Sequence, residues 1–197
     1  MNVQIKTSSG ISLVPMDTRL MGERKIFIEE NINNESALQI VKQLMYLNLE
    51  SETEPIDLMI NSMGGEINSG LLIYDAIASS KAPVRTYCIG RAYSMAAILF
   101  ASGRHGRYML PHSELMLHEP LLATPVGGNS SSILSISETL LKTKHTLTEI
   151  LALHTGRSEK EISDAIGFDH YYSSEEAIEF GLCDGEANLC DIVGGKR

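Results

Sequence analysis

Ser94, six scattered histidines and a glycine pair are the residues whose types and spacing could do chemistry. Ser94 lies in Gly90-Arg-Ala-Tyr-Ser94-Met-Ala-Ala-Ile-Leu-Phe-Ala-Ser-Gly103, between a strand-like apolar run (Val84 to Ile89) and a helix-like one (Met95 to Ala101). Gly90 is expected to supply the sharp turn between them. Ser94 then opens a helix, where unpaired amides and the helix dipole favour negative charge. A serine there caps the helix, or its hydroxyl attacks a carbonyl while the Met95 amide holds the oxyanion. Gly64-Gly65 directly follows another strand-like run, Ile56 to Ile60. It reads as a flexible turn, or as backbone bare enough for Gly65 to present a second oxyanion amide.

A nucleophilic hydroxyl needs a base. Of the six histidines, His105 and His112 sit in polar loops, and His145 and His154 sit on a long helix, where solvent or an interface is expected. His170 lies in an aromatic loop. His118 differs, because it ends the apolar run Leu115-Met-Leu117 and precedes Glu119-Pro120. An imidazole at the end of a buried strand requires a partner. The third member would be a carboxylate that orients the imidazole. Asp164 falls in a short amphipathic helix and Asp184 in a turn. Asp169 lies in Gly167-Phe-Asp-His-Tyr-Tyr172, where aromatic neighbours would shield it. Spacing leaves the three open.

The elements that must position these residues alternate. Residues 1–24 read as an extended segment or short hairpin. Lys25 to Ile28 is a strand. Asn33-Asn-Glu-Ser36 starts a helix with apolar residues at helical spacing through Leu47. Ile56 to Ile60 is a strand, Gly70 to Ser80 a helix and Val84 to Ile89 a third strand. Short strands follow at Tyr108 to Leu110 and Glu114 to His118. A polar, Gly-rich stretch (Thr124 to Ser132) leads to a helix over Ile133 to His154, stopped by Gly156. Ser158 caps a short helix, and Ser173 or Ser174 begins a last one that Gly181 ends. Strand and helix in turn, with short connections, predict an α/β fold of βαβ units on a mainly parallel sheet. Loops at the carboxyl ends of such strands collect chemistry. The loops carrying Gly64-Gly65 and Ser94 should therefore emerge on one side.

The 197 residues, 43% hydrophobic and 21% charged, are enough for one domain with a real core, and a single domain over 1–197 is expected. A net charge of −9 argues against non-specific nucleic-acid binding. No apolar run is long enough to span a membrane, and Met1-Asn-Val-Gln-Ile-Lys-Thr has no signal pattern. A cytoplasmic location is expected. Cys88, Cys183 and Cys190 are an odd number without zinc-ligand spacing, and free, mostly buried thiols are expected.

Asn61-Ser-Met-Gly-Gly65, Ala92-Tyr-Ser94-Met-Ala-Ala97, Leu110-Pro-His-Ser113 with Met116-Leu-His118-Glu-Pro120, Thr155-Gly156 and Ser173-Ser-Glu-Glu-Ala-Ile-Glu-Phe-Gly-Leu182 stand in order along the chain. From about Lys25 to about Asp184 the sequence resembles the proteolytic subunit of the Clp protease, ClpP. The resemblance implies a ClpP/crotonase-like fold of stacked βαβ units with a projecting handle helix, the handle region at about 124–156. It implies a serine endopeptidase with nucleophile Ser94, base His118 and acid Asp169. Gly65 and Met95 would supply the oxyanion amides. It further implies two stacked heptameric rings around a chamber, and a partner AAA+ unfoldase that feeds in unfolded polypeptides. The subunit itself would use no ATP, no other cofactor and no metal. The handle residues Ile133, Leu134, Ile136, Leu140, Leu141, Leu147, Ile150 and Leu151 cover more than one stripe, which suits an added packing partner.

The sequence departs from the family pattern at Met63 (usually Pro), at Glu119 (usually Gln) and at Phe168, where an Arg commonly joins the rings. Met59 replaces a frequent Tyr near the ATPase docking site, and the N-terminal segment is short. A divergent paralogue fits these departures. Two other functions fit the residues: a non-catalytic or weakly active ring subunit paired with an active paralogue, and a crotonase-like acyl-CoA enzyme.

Overall fold

The computed structural model describes residues 1–7, 10–122, 125 and 127–193. The expected α/β architecture is present. In chain order the elements are β1 (Asn2–Thr7), β2 (Gly10–Pro15), α1 (Met16–Gly22), β3 (Lys25–Ile28), α2 (Asn34–Glu50), β4 (Ile56–Ser62), α3 (Ile67–Ala78), β5 (Val84–Tyr93), α4 (Met95–Ala101), β6 (Arg107–Met109), β7 (Glu114–Leu117), α5 (Ser130–Thr155), α6 (Glu159–Ala165), β8 (His170–Tyr172), α7 (Ser174–Phe180), β9 (Gly185–Glu186) and α8 (Leu189–Val193). β1 and β2 pair as an antiparallel hairpin. Ser8 and Ser9, within the segment read as extended or hairpin, lie outside the described residues. So does Thr124, the expected start of the handle region.

The main sheet runs β3-β4-β5-β6-β9 in parallel, with β7 beside the far end of β5 and β8 antiparallel to β7. β4, inside the sheet, is buried on both faces from Ile56 to Ile60, as a parallel strand covered on both sides must be. On the edge away from β4, β5 serves two neighbours. Thr86 to Cys88 pair with β6 and Arg91 to Tyr93 pair with β7.

Local chemistry sets the helix ends. Asn33, Ser158 and Ser173 each form a capping box, and Gly156 and Gly181 end α5 and α7 in the left-handed conformation. Helix α4 is buried along its whole length, and Leu99 and Phe100 in its second half have no solvent contact. Each such side chain contributes roughly 1.5–3 kcal/mol. The end of β5 that leads into Ser94 is thus anchored to the core.

Helix α5 is anchored at one end. Leu147, Thr148, Ile150 and Leu151 are buried, whereas Ile133, Leu134 and Leu141 in its first half stand exposed. Among the described residues, that half carries exposed apolar side chains.

One expectation at the heart of the site is corrected. Gly90 is not a turn. β5 continues through it to Tyr93, with the ladder to β4 slipping between Ile60 and Ser62. Asn61 fills the slip, its Oδ1 accepting from the Arg91 amide at 3.2 Å. A Cβ on residue 90 would lie 2.5 Å from that oxygen, so Gly90 makes room for Asn61 rather than turning the chain.

Candidate active site

The sharp turn falls on Ser94 itself. Its backbone takes φ 54°, ψ −124°, one of two positive-φ non-glycine residues among those described. Such a conformation costs about 1–3 kcal/mol and persists only where its surroundings enforce it. Here the Ser94 amide donates to Met116 O on β7 at 2.8 Å, and the fully buried α4 begins at the next residue. The turn lifts the hydroxyl off the end of the sheet. Ser94 stands at the N-cap position, yet its side chain makes no capping bond. The hydroxyl is instead 2.7 Å from His118 Nε2. With Nε2 accepting, the ring proton sits on Nδ1.

Strand pairing places the carboxylate. β7 and β8 run antiparallel with Leu115 opposite Tyr172, Met116 opposite Tyr171 and Leu117 opposite His170. One further step in that register sets His118 against Asp169. The two side chains approach to 3.6 Å between Nδ1 and Oδ1. This is longer than a hydrogen bond and within reach of a charge interaction. The expected shielding of Asp169 is not found. Its side chain is 59% exposed, because Phe168 turns to solvent at 89% exposure and Tyr171 is half exposed.

The glycine pair closes the other side. Gly64 adopts φ 91° and packs flat on the Ser94 turn: a Cβ there would lie 2.6 Å from Tyr93 O and 2.9 Å from Ser94 Cβ. The loop is held by four bonds. The Gly64 amide donates to Ser62 Oγ (3.1 Å), and the Ser62 hydroxyl donates to Glu30 O (2.6 Å). The Ile32 amide donates to Gly64 O and the Glu66 amide to Ile32 O, both at 2.8 Å. This pattern skips the Gly65 amide. Met95 is the first residue of α4, so its amide has no intrahelical acceptor. Gly65 and Met95 line one groove with Ser94 and His118, of about 900 Å³. Its walls include Ile67, Leu117, Leu121, Ile136 and Leu140. One further tie crosses the groove's rim: Lys144 Nζ on α5 donates to Glu119 Oε2 at 2.6 Å.

The remaining candidates fall elsewhere. Asp164 pairs with Lys160 on the surface, and Asp184 pairs with Arg107. His105 and His112 are exposed, and His145 is exposed between Glu149 and Glu159. His170 stacks on Tyr172. His154 is part-buried rather than solvated. It packs edge-on against Tyr74 with Nε2 3.1 Å from the phenol oxygen. Burial, and then the charges of Arg104 and Arg107, push its pKa down to about 4. Cys88 and Cys183 are buried and Cys190 is exposed. Burial pushes the Cys88 thiol up to about 11, which makes it a poor nucleophile. Among the described residues no three His, Cys, Asp or Glu side chains gather as metal ligands would. Sequence reasoning missed Ser62 and Gly64 as supports of the site. The glycine doublet was a visible signal, but which glycine faces the serine depends on the sheet register.

An alcohol hydrogen-bonded to an imidazole, a carboxylate behind the imidazole and the Gly65 and Met95 backbone in the same groove can perform acyl transfer. A family model described as Clp protease matches residues 9–187.

Proposed function

The chain belongs to the Clp protease family, and from that premise and the site geometry we propose that it is a serine endopeptidase subunit cleaving unfolded polypeptides. Its mixed α/β architecture is the ClpP-like fold. Membership implies a Clp-type peptidase that associates with Clp ATPases and oligomerises. The observation that carries the finer reading is the 2.7 Å contact between Ser94 Oγ and His118 Nε2 on a strained turn.

In the proposed cycle Ser94 attacks the peptide carbonyl as His118 Nε2 takes its proton. The Gly65 and Met95 amides hold the oxyanion. Asp169 keeps the ring proton on Nδ1 and offsets the imidazolium charge. His118 then protonates the leaving amine, and water releases the acyl group by the same route. The subunit takes no cofactor, ATP being spent by a AAA+ unfoldase. The exposed apolar half of α5 supports ring-on-ring packing, for which two stacked heptamers in the cytoplasm are the expected form.

The test is hydrolysis of a short fluorogenic peptide by the purified assembled chain. Ser94→Ala should lower turnover by at least about 10³-fold without changing the assembled mass. Unchanged turnover would remove Ser94 from the mechanism. A second reading, a weakly active subunit paired with an active paralogue, draws on the 3.6 Å gap to an exposed Asp169. Co-purification with a labelled paralogue while Ser94 stays unlabelled would favour it.

A further inference from the structure

We propose that Glu66 is a specificity-determining residue that favours substrates with a lysine or arginine beside the scissile bond. The proposal rests on the peptidase reading above. Two carboxylates line the groove that holds Ser94, Glu66 and Glu119. Glu119 is neutralised by Lys144 at 2.6 Å. Glu66 has no Lys, Arg or His within ion-pair distance among the described residues. The groove is otherwise apolar or neutral, and His118 serves as a base only when uncharged. Its wall therefore carries one uncompensated negative charge.

That charge lies in the groove that holds Ser94 and His118. Glu66 directly follows Gly65, the proposed oxyanion donor, and its own amide is fixed on Ile32 O at 2.8 Å. A simpler explanation for a carboxylate here is that it caps α3. Glu66 does occupy the N-cap position, but its side chain makes no bond to a helix amide. Its Oε2 accepts from the Ser69 hydroxyl at 2.8 Å, which orients the carboxylate and leaves Oε1 open. Asn31 and Asn68 line the same groove and add neutral carbonyl acceptors. Ammonium and guanidinium groups carry donors only, so a carboxylate beside amide oxygens suits them, and an acidic side chain is repelled.

The test compares quenched fluorescent peptides short enough to need no ATPase: a neutral parent, and versions with one Lys or one Glu at each residue flanking the cleaved bond. Ratios of kcat/KM are taken within each variant, so a general change in activity cancels. In the wild type one flanking position should favour Lys over Glu by about three- to tenfold, the scale of a solvent-exposed charge contact counted once as attraction and once as repulsion. The ratio should shrink toward 1 in 0.5 M salt, as screening dictates. Glu66→Asp should retain the preference, Glu66→Gln should bring it within about twofold of 1, and Glu66→Lys should invert it. A Lys/Glu ratio in Glu66→Gln equal to that of the wild type, or no discrimination in the wild type while the neutral parent is cleaved, overturns the proposal and leaves the peptidase reading standing. Failure of the wild type to cleave the neutral parent, with no fluorophosphonate adduct on Ser94, overturns both.

Discussion

Replacing Gly64 by alanine should disable the site through one added methyl group. The new Cβ would stand 2.6 Å from Tyr93 O, 2.9 Å from Ser94 Cβ and 3.0 Å from the Met95 amide nitrogen, where ordinary contact begins at 3.4 Å. The turn must therefore retreat by roughly half an ångström or more, and all three obstacles are backbone or Cβ atoms that no side-chain rotation can clear. Ser94 would be displaced relative to His118, 2.7 Å away, and Met95 relative to the Gly65 amide. A misplacement of about 1 Å costs on the order of 10²-fold, so turnover should fall roughly 30- to 100-fold. The φ of 91° at residue 64 adds about 1–2 kcal/mol of strain for any L-residue. Together with the clash, unfolding stability should drop by about 2–3 kcal/mol. The assay pairs peptide turnover and fluorophosphonate labelling rate with urea denaturation. Gly22→Ala is the control, since a Cβ there meets nothing within 4 Å; it should change neither rate, and stability by less than about 0.5 kcal/mol. Wild-type turnover in a folded Gly64→Ala variant would refute the claim that this glycine seats the serine turn.

Three other outcomes are expected. Ser94→Gly should abolish turnover yet raise stability by about 1 kcal/mol in denaturation, because glycine accepts the conformation that serine holds under strain; a less stable variant would show the turn to be unstrained. Asp169→Asn should lower kcat by about 10²-fold, less than the roughly 10⁴-fold of a closely bonded triad acid, since the acid is exposed and 3.6 Å from Nδ1. A 10⁴-fold loss would mean that the contact shortens in the working enzyme. His154, with a folded pKa depressed to about 4 against about 6.5 unfolded, binds fewer protons folded than unfolded between those values, so stability falls as pH drops from 6.5 to 4 and is flat above. After allowance for partial water access this is about 1–2 kcal/mol. His154→Gln should remove that much of the slope in pH-dependent denaturation, and an unchanged slope would show that the ring is not held neutral.

Much of the fold is legible because local chemistry and tertiary structure agree. Asn33, Ser158 and Ser173 are followed three residues on by Ser36, Glu161 and Glu176, and each forms the capping box. Gly156 and Gly181 end helices for the reason glycine usually does. What was not legible depends on partners distant in sequence. Gly90 resembles a breaker, but β5 passes through it because Asn61 from another strand fills the irregularity. Asp169 could not be chosen over Asp164 and Asp184 by spacing. Its place follows from the antiparallel register of β7 and β8, and β8 is only three residues long. Helix α1, inside the segment read as extended, follows Pro15 without the side-chain cap that marks α6 and α7, and strand β9 has only two residues. Arg24 gives no signal in the sequence, yet it is buried and donates to the carbonyls of Leu47, Ser51, Glu54 and Pro55, holding the end of α2 against β4. His154 was misread because its helix is mostly solvated, whereas its last turn packs on Tyr74.

The central claim is that His118 activates Ser94 for attack. Fluorophosphonate labelling of the assembled chain at neutral pH, mapped by peptide mass, examines it without any assumption about substrate or ATPase. The account expects one adduct, on Ser94, with a labelling rate that falls by at least about 10²-fold in a folded His118→Ala variant. Labelling of Ser94 at the same rate without His118, or an adduct on another residue, would contradict it.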